Sequence, residues 1–303
     1  MNEIVHIGIA CNDVYARPAG VLMSSILHHT RSPVCFHLFT YGISEENLAW
    51  LRRVVSLSAA AHLEVVKGLE IRTDRKGHEV EYISNETWCR LMAHRLLPDV
   101  DKLLYLDIDL LILGDVSQIY EMDISGFMAA GVEEEQMRTN GYPESIGMSS
   151  VHGYVNAGVL LMNLRALRDS GKGDELIAGI NTIDGRFMDQ DVLNSVLHGQ
   201  MALLPRRFNF NLYYYRVYKK ERKHALVIHF TGPDKPWMPK GRRRWCNRLW
   251  RMSVVRMRVA MCMKSSRCLL NELISRLWFA VASVEDLLIG TVSMTFERKT
   301  ESP

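Results

Sequence analysis

The chain has 303 residues, 48% hydrophobic and 23% charged, with 20 Gly and 9 Pro, a composition that excludes a disordered, collagen-like or coiled-coil protein. That length suits one large α/β domain with a short appendage. The net charge of +3 conceals a segregation: residues 240–276 carry +10, residues 277–303 carry −2, and residues 1–239 carry −5, so a basic tail follows an acidic body and points to a partner surface.

In chain order, Ile4 to Ala10 is a short, apolar, β-branched run that predicts a strand. A polar turn, Cys11 to Arg17, follows, and Pro18 leads a helical pattern through Val21, Leu22, Ser25 and Ile26. Phe36 to Tyr41 reads as a second strand. Ser44 is placed to cap a helix whose first turn holds Glu45 and Glu46, where negative charge suits the helix dipole. Leu63 to Val66 gives a third strand. Asn85-Glu86-Thr87 opens a helix reaching Leu97, stopped by Pro98, and Lys102 to Leu106 gives a fourth strand. Phe127 to Val132, Ala157 to Met162, Asp189 to Leu197 and Leu226 to Phe230 are the next elements, consistent with the sheet continuing. Strands alternating with helices predict an α/β domain with a mostly parallel sheet covered on both faces. In such sheets ligands sit beyond the carboxyl ends of the strands, here the loops after Ala10 and Leu106.

The six cysteines form no Cys-x-x-Cys pair, so free thiols in a reducing compartment are expected. The N-terminus has an acid and no basic region ahead of its apolar run, which is unlike a signal peptide. No segment approaches the roughly 20 apolar residues that span a bilayer. A cytoplasmic protein is expected, with attachment to a surface left to the tail.

The chemistry-bearing signals are two. Leu103 to Asp109 is an apolar strand ending in two carboxylates, Asp107 and Asp109, one residue apart. Their mutual repulsion is resolved by a divalent cation such as Mg²⁺ or Mn²⁺; two solvated aspartates opening a loop are the alternative. His229 to Trp237 follows a strand-like run and gathers His229, Gly232 and Lys235 between turn formers. Imidazole is a natural third ligand for Mn²⁺, Gly232 lets backbone approach a phosphate, and Lys235 can neutralise it. A core histidine before a surface turn is the competing reading.

Five blocks in order carry a resemblance: Ile9 to Tyr15, Ser84 to Arg90, Leu104 to Asp109, Asn156 to Leu161 with Asp189-Gln190-Asp191, and His229 to Trp237. Over residues 4–240 the chain resembles glycosyltransferase family 8, which contains glycogenin and the bacterial lipopolysaccharide galactosyl- and glucosyltransferases. The resemblance implies a Rossmann-like nucleotide-sugar-binding domain of GT-A type over residues 1–239 and a UDP-hexose donor. It implies that Ala10, Asn12 and Tyr15 hold the uridine, that Arg90, Asp107 and Ile108 contact the nucleotide sugar, and that Asp107, Asp109 and His229 bind Mn²⁺, or Mg²⁺. Gly232 and Lys235 match diphosphate contacts. Asn156, Asp189 and Gln190 match positions lining the donor sugar and reacting carbon, although the acids also sit where a helix would begin. Glu133 falls where a galactose-binding member has Asp, which leaves glucose and galactose both open. Glu134 to Met148 is the expected lid over the acceptor.

The resemblance also implies a retaining enzyme, either by a front-face route or by double displacement. The tail, residues 240–303, lies outside it. Trp245, Leu249, Met252, Val255, Val259 and Met263 recur at helical spacing with Arg244, Arg248, Arg251 and Arg258 to the other side, and Leu273 to Leu288 adds a second stripe. This predicts a basic amphipathic helix on an anionic membrane surface, against a helical hairpin capping the domain or forming a dimer. An acidic body without a basic groove argues against nucleic acid. The expected activity is therefore metal-dependent hexose transfer to a lipopolysaccharide-type or lipid-linked glycan at the inner face of the cell membrane. A glycogenin-like protein-modifying glucosyltransferase and a non-catalytic sugar-nucleotide-binding protein are the alternatives.

Overall fold

A computed structural model describes residues 3–69, 85–149, 153–238 and 246–265. Where β-branched, aromatic and leucine side chains run together the chain extends into β1 (Val5–Ala10), β2 (Val34–Thr40), β3 (Ala61–Lys67) and β4 (Lys102–Leu106). β2 is buried along its whole length, as a strand covered on both faces must be. The intervening helices are α1 (Ala16–His29), α2 (Glu45–Val55) and α3 (Cys89–Leu96). The Ser44 hydroxyl caps α2 by accepting from the Asn47 N–H at 3.3 Å. Asn85 to Trp88 forms a 3₁₀ turn that feeds α3, rather than a simple cap.

The chain continues through β5 (Leu110–Ile112), α4 (Ser117–Tyr120), β6 (Ala129–Glu133), α5 (Tyr142–Ser145) and β7 (Val155–Asn163). Then come α6 (Leu164–Asp169), α7 (Lys172–Thr182), α8 (Asp189–Val196), β8 (Met201–Leu203), β9 (Phe210–Asn211), α9 (Leu212–Val217), β10 (Val227–His229) and α10 (Cys246–Ser265).

The main sheet runs β3-β2-β1-β4-β7-β6-β8, and only β7 opposes its neighbours. Strand order reverses between β1 and β4, so the crevice beyond Ala10 and Leu106 is the switch point of the sheet. Antiparallel β7 delivers its own start, Val155 to Gly158, to that same edge.

The segment around Ile228 does not extend the main sheet, as its apolar run suggests. It forms β10 in a second sheet, β5-β10-β9. The reason is register: β10 pairs antiparallel with β5, which sets His229 opposite Leu110 and so beside Asp109.

Two cores sandwich the sheet. One gathers Val5, Ile7 and Ile9 of β1 with α1, α2, β5 and β10; the other gathers Phe39, Leu103 and Tyr105 with α3, α7 and α8. Each fully buried Leu or Ile contributes about 1.5–3 kcal/mol.

α10 departs from the pattern read along the tail. Its buried face is Trp250, Ser253 and Met257, packed on α1 and α2, with Leu249, Val254 and Met261 partly buried against the same core. Trp250 meets Trp237 with ring centroids 5.7 Å apart. The stripe through Met252, Val255 and Val259 is rotated off that face, and Val255 is 47% exposed among the outward Arg248, Arg251 and Arg258. Trp245 and the second stripe, Leu273 to Leu288, lie outside the described residues. No helix among the described residues is long and apolar enough to cross a membrane.

This packing gives the fold an acid-sensitive seam. Burial pushes His29, at the end of α1, down to about 4; Arg256 of α10 and His28 push it further, Asp115 opposes them, and the more exposed His28 is lowered in the same direction. The unfolded imidazoles, near 6.5, bind protons more tightly than the folded ones, so stability is lost as pH falls from 6.5 towards about 4. Urea midpoints measured between pH 7.5 and pH 5, both chosen for the assay, should fall with acid and fall less steeply in His29→Gln. A pH-independent midpoint contradicts the account.

Candidate active site

β4 ends at Leu106, and the next three residues turn the chain from the main sheet into β5. Backbone bonds hold that turn on both sides: the Asp107 N–H donates to the Gly158 carbonyl at 2.9 Å, and the Asp109 carbonyl accepts from the Phe230 N–H at 2.9 Å. Asp107, Asp109 and His229 thereby each bring one ligand atom within 4.8 Å of the others. His229 Nε2 stands 3.2 Å from Asp109 Oδ1, and Lys235 Nζ donates to Asp109 Oδ2 at 2.5 Å and to the Phe230 carbonyl at 3.1 Å.

Gly158 is required here by space. A Cβ on it would stand 2.3 Å from His229 Cε1 and 3.0 Å from Asp107 Oδ2. Asp109 is 8% exposed; burial alone would raise its pKa, but Lys235 and His229 outweigh burial and hold the carboxyl well below the usual range.

Behind the imidazole runs a chain of amides that fixes its orientation. Glu134 accepts from the side-chain amides of Asn156 and Gln136 at 2.7 and 2.8 Å and of Asn211 at 2.9 Å. Asn156 therefore presents its oxygen to Asn209 Nδ2 at 2.7 Å, and Asn209 presents its own oxygen to His229 Nδ1 at 2.9 Å. With Nδ1 engaged by Asn209, Nε2 is the nitrogen that faces Asp109 and is left to ligate an ion. Two carboxylates and an imidazole so oriented are a donor set for a divalent ion of the Mn²⁺ type.

Arg90 ties the acids together. It is 5% exposed, donates to Asp107 Oδ1 at 2.7 Å and to the Ala157 carbonyl at 2.6 Å, and meets Asp189 Oδ2 at 3.0 Å. A solvated helix arginine is thus not what the fold contains. Burial pushes Asp189 up to about 6, against the opposing pull of Arg90. The residue before it, Met188, has φ +48°, the one non-glycine positive φ among the described residues, a strain of about 1–3 kcal/mol of the kind that clusters at functional sites. Gln190 Oε1 accepts from the Ala157 N–H at 3.0 Å.

Ala10, Tyr15, Arg90, Asp107, Ile108, Asp109, Asp189, Gln190 and Lys235 line one cleft of about 470 Å³ at the switch point. Asn12 lies at its edge, donating to Glu86, which lines it. Gly232 adopts φ +88° in the following loop. His229 and Gly232 lie just outside the lining, and so do two further expected site residues. Asn156 is buried in the amide chain behind His229 and does not line the cleft. Glu133 also lies outside the lining, because both of its carboxylate oxygens are taken by Arg138; the acid directed at the site network is its neighbour Glu134.

Residues 134–148 carry a 3₁₀ turn and α5, and their Met137 and Met148 form a small apolar core with Tyr154. Arg186 and Phe187, which the sequence did not mark, line the cleft and are held by Asp191 and Tyr142. Asn209 and Asn211 were likewise unmarked, and Glu134 was marked only as the start of the lid; the one signal is their polarity within apolar stretches.

The profile of glycosyl transferase family 8 matches residues 6–241. The chain belongs to this family. It is a glycosyltransferase, and its relatives include hexosyltransferases of lipopolysaccharide. Lipopolysaccharide 1,2-glucosyltransferase of Escherichia coli (strain K12) is 28% identical over 258 residues, which cover 78% of this chain and 73% of the relative. General stress protein A of Bacillus subtilis (strain 168) is 26% identical over 78% of this chain and 88% of its own. The galactosyltransferase LgtC, crystallised with donor and acceptor sugar analogues, shares the fold with a TM-score of 0.68 at 24% identity, over 83% of this chain and 96% of that one.

Proposed function

We propose that the chain transfers glucose or galactose from a UDP-sugar to a lipopolysaccharide-type or lipid-linked glycan, with Mn²⁺ and with retention of configuration. The observation that carries this reading is the convergence of Asp107, Asp109 and His229 with Lys235 at the switch-point cleft. The relatives that are lipopolysaccharide 1,2-glucosyl- and 1,3-galactosyltransferases support the substrate class.

Asp107, Asp109 and His229 would hold the metal, which when bound offsets the charge that builds on a departing diphosphate. Lys235 adds a fixed positive charge at the same place, and electrostatic assistance of this kind is commonly the largest catalytic contribution. Tyr15 offers its ring to the base at the mouth of the cleft. Arg90 holds Asp189 at 3.0 Å, which weakens that carboxylate as a nucleophile and favours attack of the acceptor on the face the leaving group vacates. Gln190 lines the cleft with its amide fixed through its oxygen to the Ala157 N–H and set against Tyr154, so its side chain is held in place beside the donor sugar. The outward Arg248, Arg251 and Arg258 of α10 would draw the protein to the anionic inner face of the cell membrane, each contributing about 1 kcal/mol.

The amide chain makes its own prediction. In Asn209→Ala, His229 loses the acceptor that fixes its tautomer, and the Mn²⁺ concentration for half-maximal activity should rise about 10–100-fold. An unchanged requirement would remove Asn209 from the account.

The function is tested by offering radiolabelled UDP-glucose and UDP-galactose in turn with a truncated lipooligosaccharide acceptor. Labelled α-linked product with Mn²⁺ and none with EDTA is expected. A β-linked product, or transfer that survives chelation, contradicts the reading.

A further inference from the structure

At the other end of β1 from the cleft, one sheet face carries an unusual set of side chains. In the parallel register His6, Cys35 and His62 lie side by side across β1, β2 and β3, and Gly8, His37 and Glu64 form the next row. These residues alternate with Ile7, Phe36 and Leu63, which face the opposite core, so the two rows share one face. His6 lies four residues from Ala10, roughly 13 Å along the strand.

The polar atoms converge. His6 Nδ1 stands 2.9 Å from His37 Nε2, and one ligand atom from each of His6, Cys35 and His37 lies within 4.8 Å of the others. His37 is 2% exposed and Cys35 7%. His37 Nδ1 is buried without a hydrogen bond, although Glu64 Oε2 stands 3.1 Å away, off the line of one. Glu64 also lies against the Cys35 thiol, and its side chain is 61% exposed, which opens the group to solvent at the edge strand. Nothing in the transfer chemistry of the cleft uses any of these residues.

We propose that His6, Cys35 and His37 form a second metal site, selective for zinc, with Glu64 closing it from the solvent side. Two imidazoles and a thiolate form a softer donor set than the carboxylate pair at the cleft and prefer Zn²⁺ to Mn²⁺ or Mg²⁺. Tetrahedral zinc with nitrogen at about 2.0–2.1 Å and sulfur at about 2.3 Å separates its donors by roughly 3.4–3.7 Å. The two ring nitrogens stand 2.9 Å apart and the three donors lie within 4.8 Å of one another, close enough for small side-chain shifts to reach that range. The ion would replace a close approach of two ring nitrogens, of which only one can donate, with two lone pairs directed at one cation. The thiol enters as thiolate and gives its proton to solvent on binding. Because the ligands come from two strands and Glu64 from a third, zinc would clamp β1, β2 and β3 together.

Cobalt(II) is the probe, since it reports thiolate ligation by a near-ultraviolet charge-transfer band that carboxylates and imidazoles do not give. Metal-free protein titrated with Co²⁺ should develop this band to one equivalent, and Zn²⁺ should abolish it. The band should persist in Asp109→Asn and in Cys262→Ser, and vanish in Cys35→Ser. Zn²⁺ should also raise the thermal midpoint of the wild type and not that of Cys35→Ser. Should Cys35→Ser not fold, His6→Gln, at a half-buried position, must weaken Co²⁺ binding at least tenfold. Absence of a thiolate band, its survival in Cys35→Ser, or unchanged affinity in His6→Gln overturns the proposal.

Discussion

Asp109→Asn should lower the rate of hexose transfer on the order of 10³-fold, with no donor or metal concentration restoring it. Asparagine keeps the shape of the side chain and removes its charge. The buried carboxylate is paired with both His229 Nε2 and Lys235 Nζ, so one change takes away a metal ligand and the partner that holds the lysine in place. Lys235→Ala separates the two roles. It should lower kcat while leaving the half-saturating Mn²⁺ concentration within about twofold, because it removes charge at the diphosphate and not a ligand. Steady-state kinetics over a Mn²⁺ series checks both. Equal metal requirements for Asp109→Asn and the wild type would show that this carboxylate does not bind the ion.

Asp191→Ala should cost about 3–5 kcal/mol of stability, at the top of what a single substitution does, without touching the metal ligands. Asp191 is fully buried and accepts from Tyr142 Oη at 2.6 Å, Tyr154 Oη at 2.5 Å and the Phe187 N–H at 2.6 Å. Tyr142 Oη in turn accepts from the Arg186 N–H at 2.7 Å. One carboxylate thus binds α5, the start of β7 and the loop that carries Arg186 and Phe187 into the cleft. Its removal leaves three donors without an acceptor, Tyr154 buried and Tyr142 and the Phe187 N–H partly so, each worth up to about 1–3 kcal/mol. For a chain of this size that is a fall in thermal midpoint of roughly 6–20 °C. Asp191→Asn, which keeps one acceptor, should lose about half as much. A loss below about 1 kcal/mol in Asp191→Ala would mean that the loop is held by something else.

Much of the frame was legible because it depends on local pattern. β4 has the bounds that its apolar run predicts, and Ser44 caps α2 as its position before two glutamates suggests. The reversal of strand order at the loops after Ala10 and Leu106 follows from the alternation of elements. The second sheet was hidden, because β5 is three residues that continue the apolar texture after Asp109, and its partner β10 lies more than a hundred residues further on. The buried face of α10 was misjudged for a related reason. Trp250 is drawn inward by Trp237 and by α1, and a helix with apolar residues on more than one side does not declare which side will pack. At the site, the acid pair and the imidazole were readable from residue type and turn chemistry. The roles of Asn209 and Glu134 were not, since a buried polar residue takes its meaning from partners 20 to 77 residues away. Glu133 and the adjacent Glu134 take different partners, Arg138 and the amide chain behind His229, and nothing local in the sequence distinguishes them.

Manganese binding itself, followed by the loss of the electron paramagnetic resonance of free Mn²⁺ as protein is added in the presence of UDP, bears on the cleft without any acceptor. One ion per chain is expected for the wild type, with binding lost in His229→Ala and weakened in Asn209→Ala. Undiminished binding by His229→Ala would contradict the account.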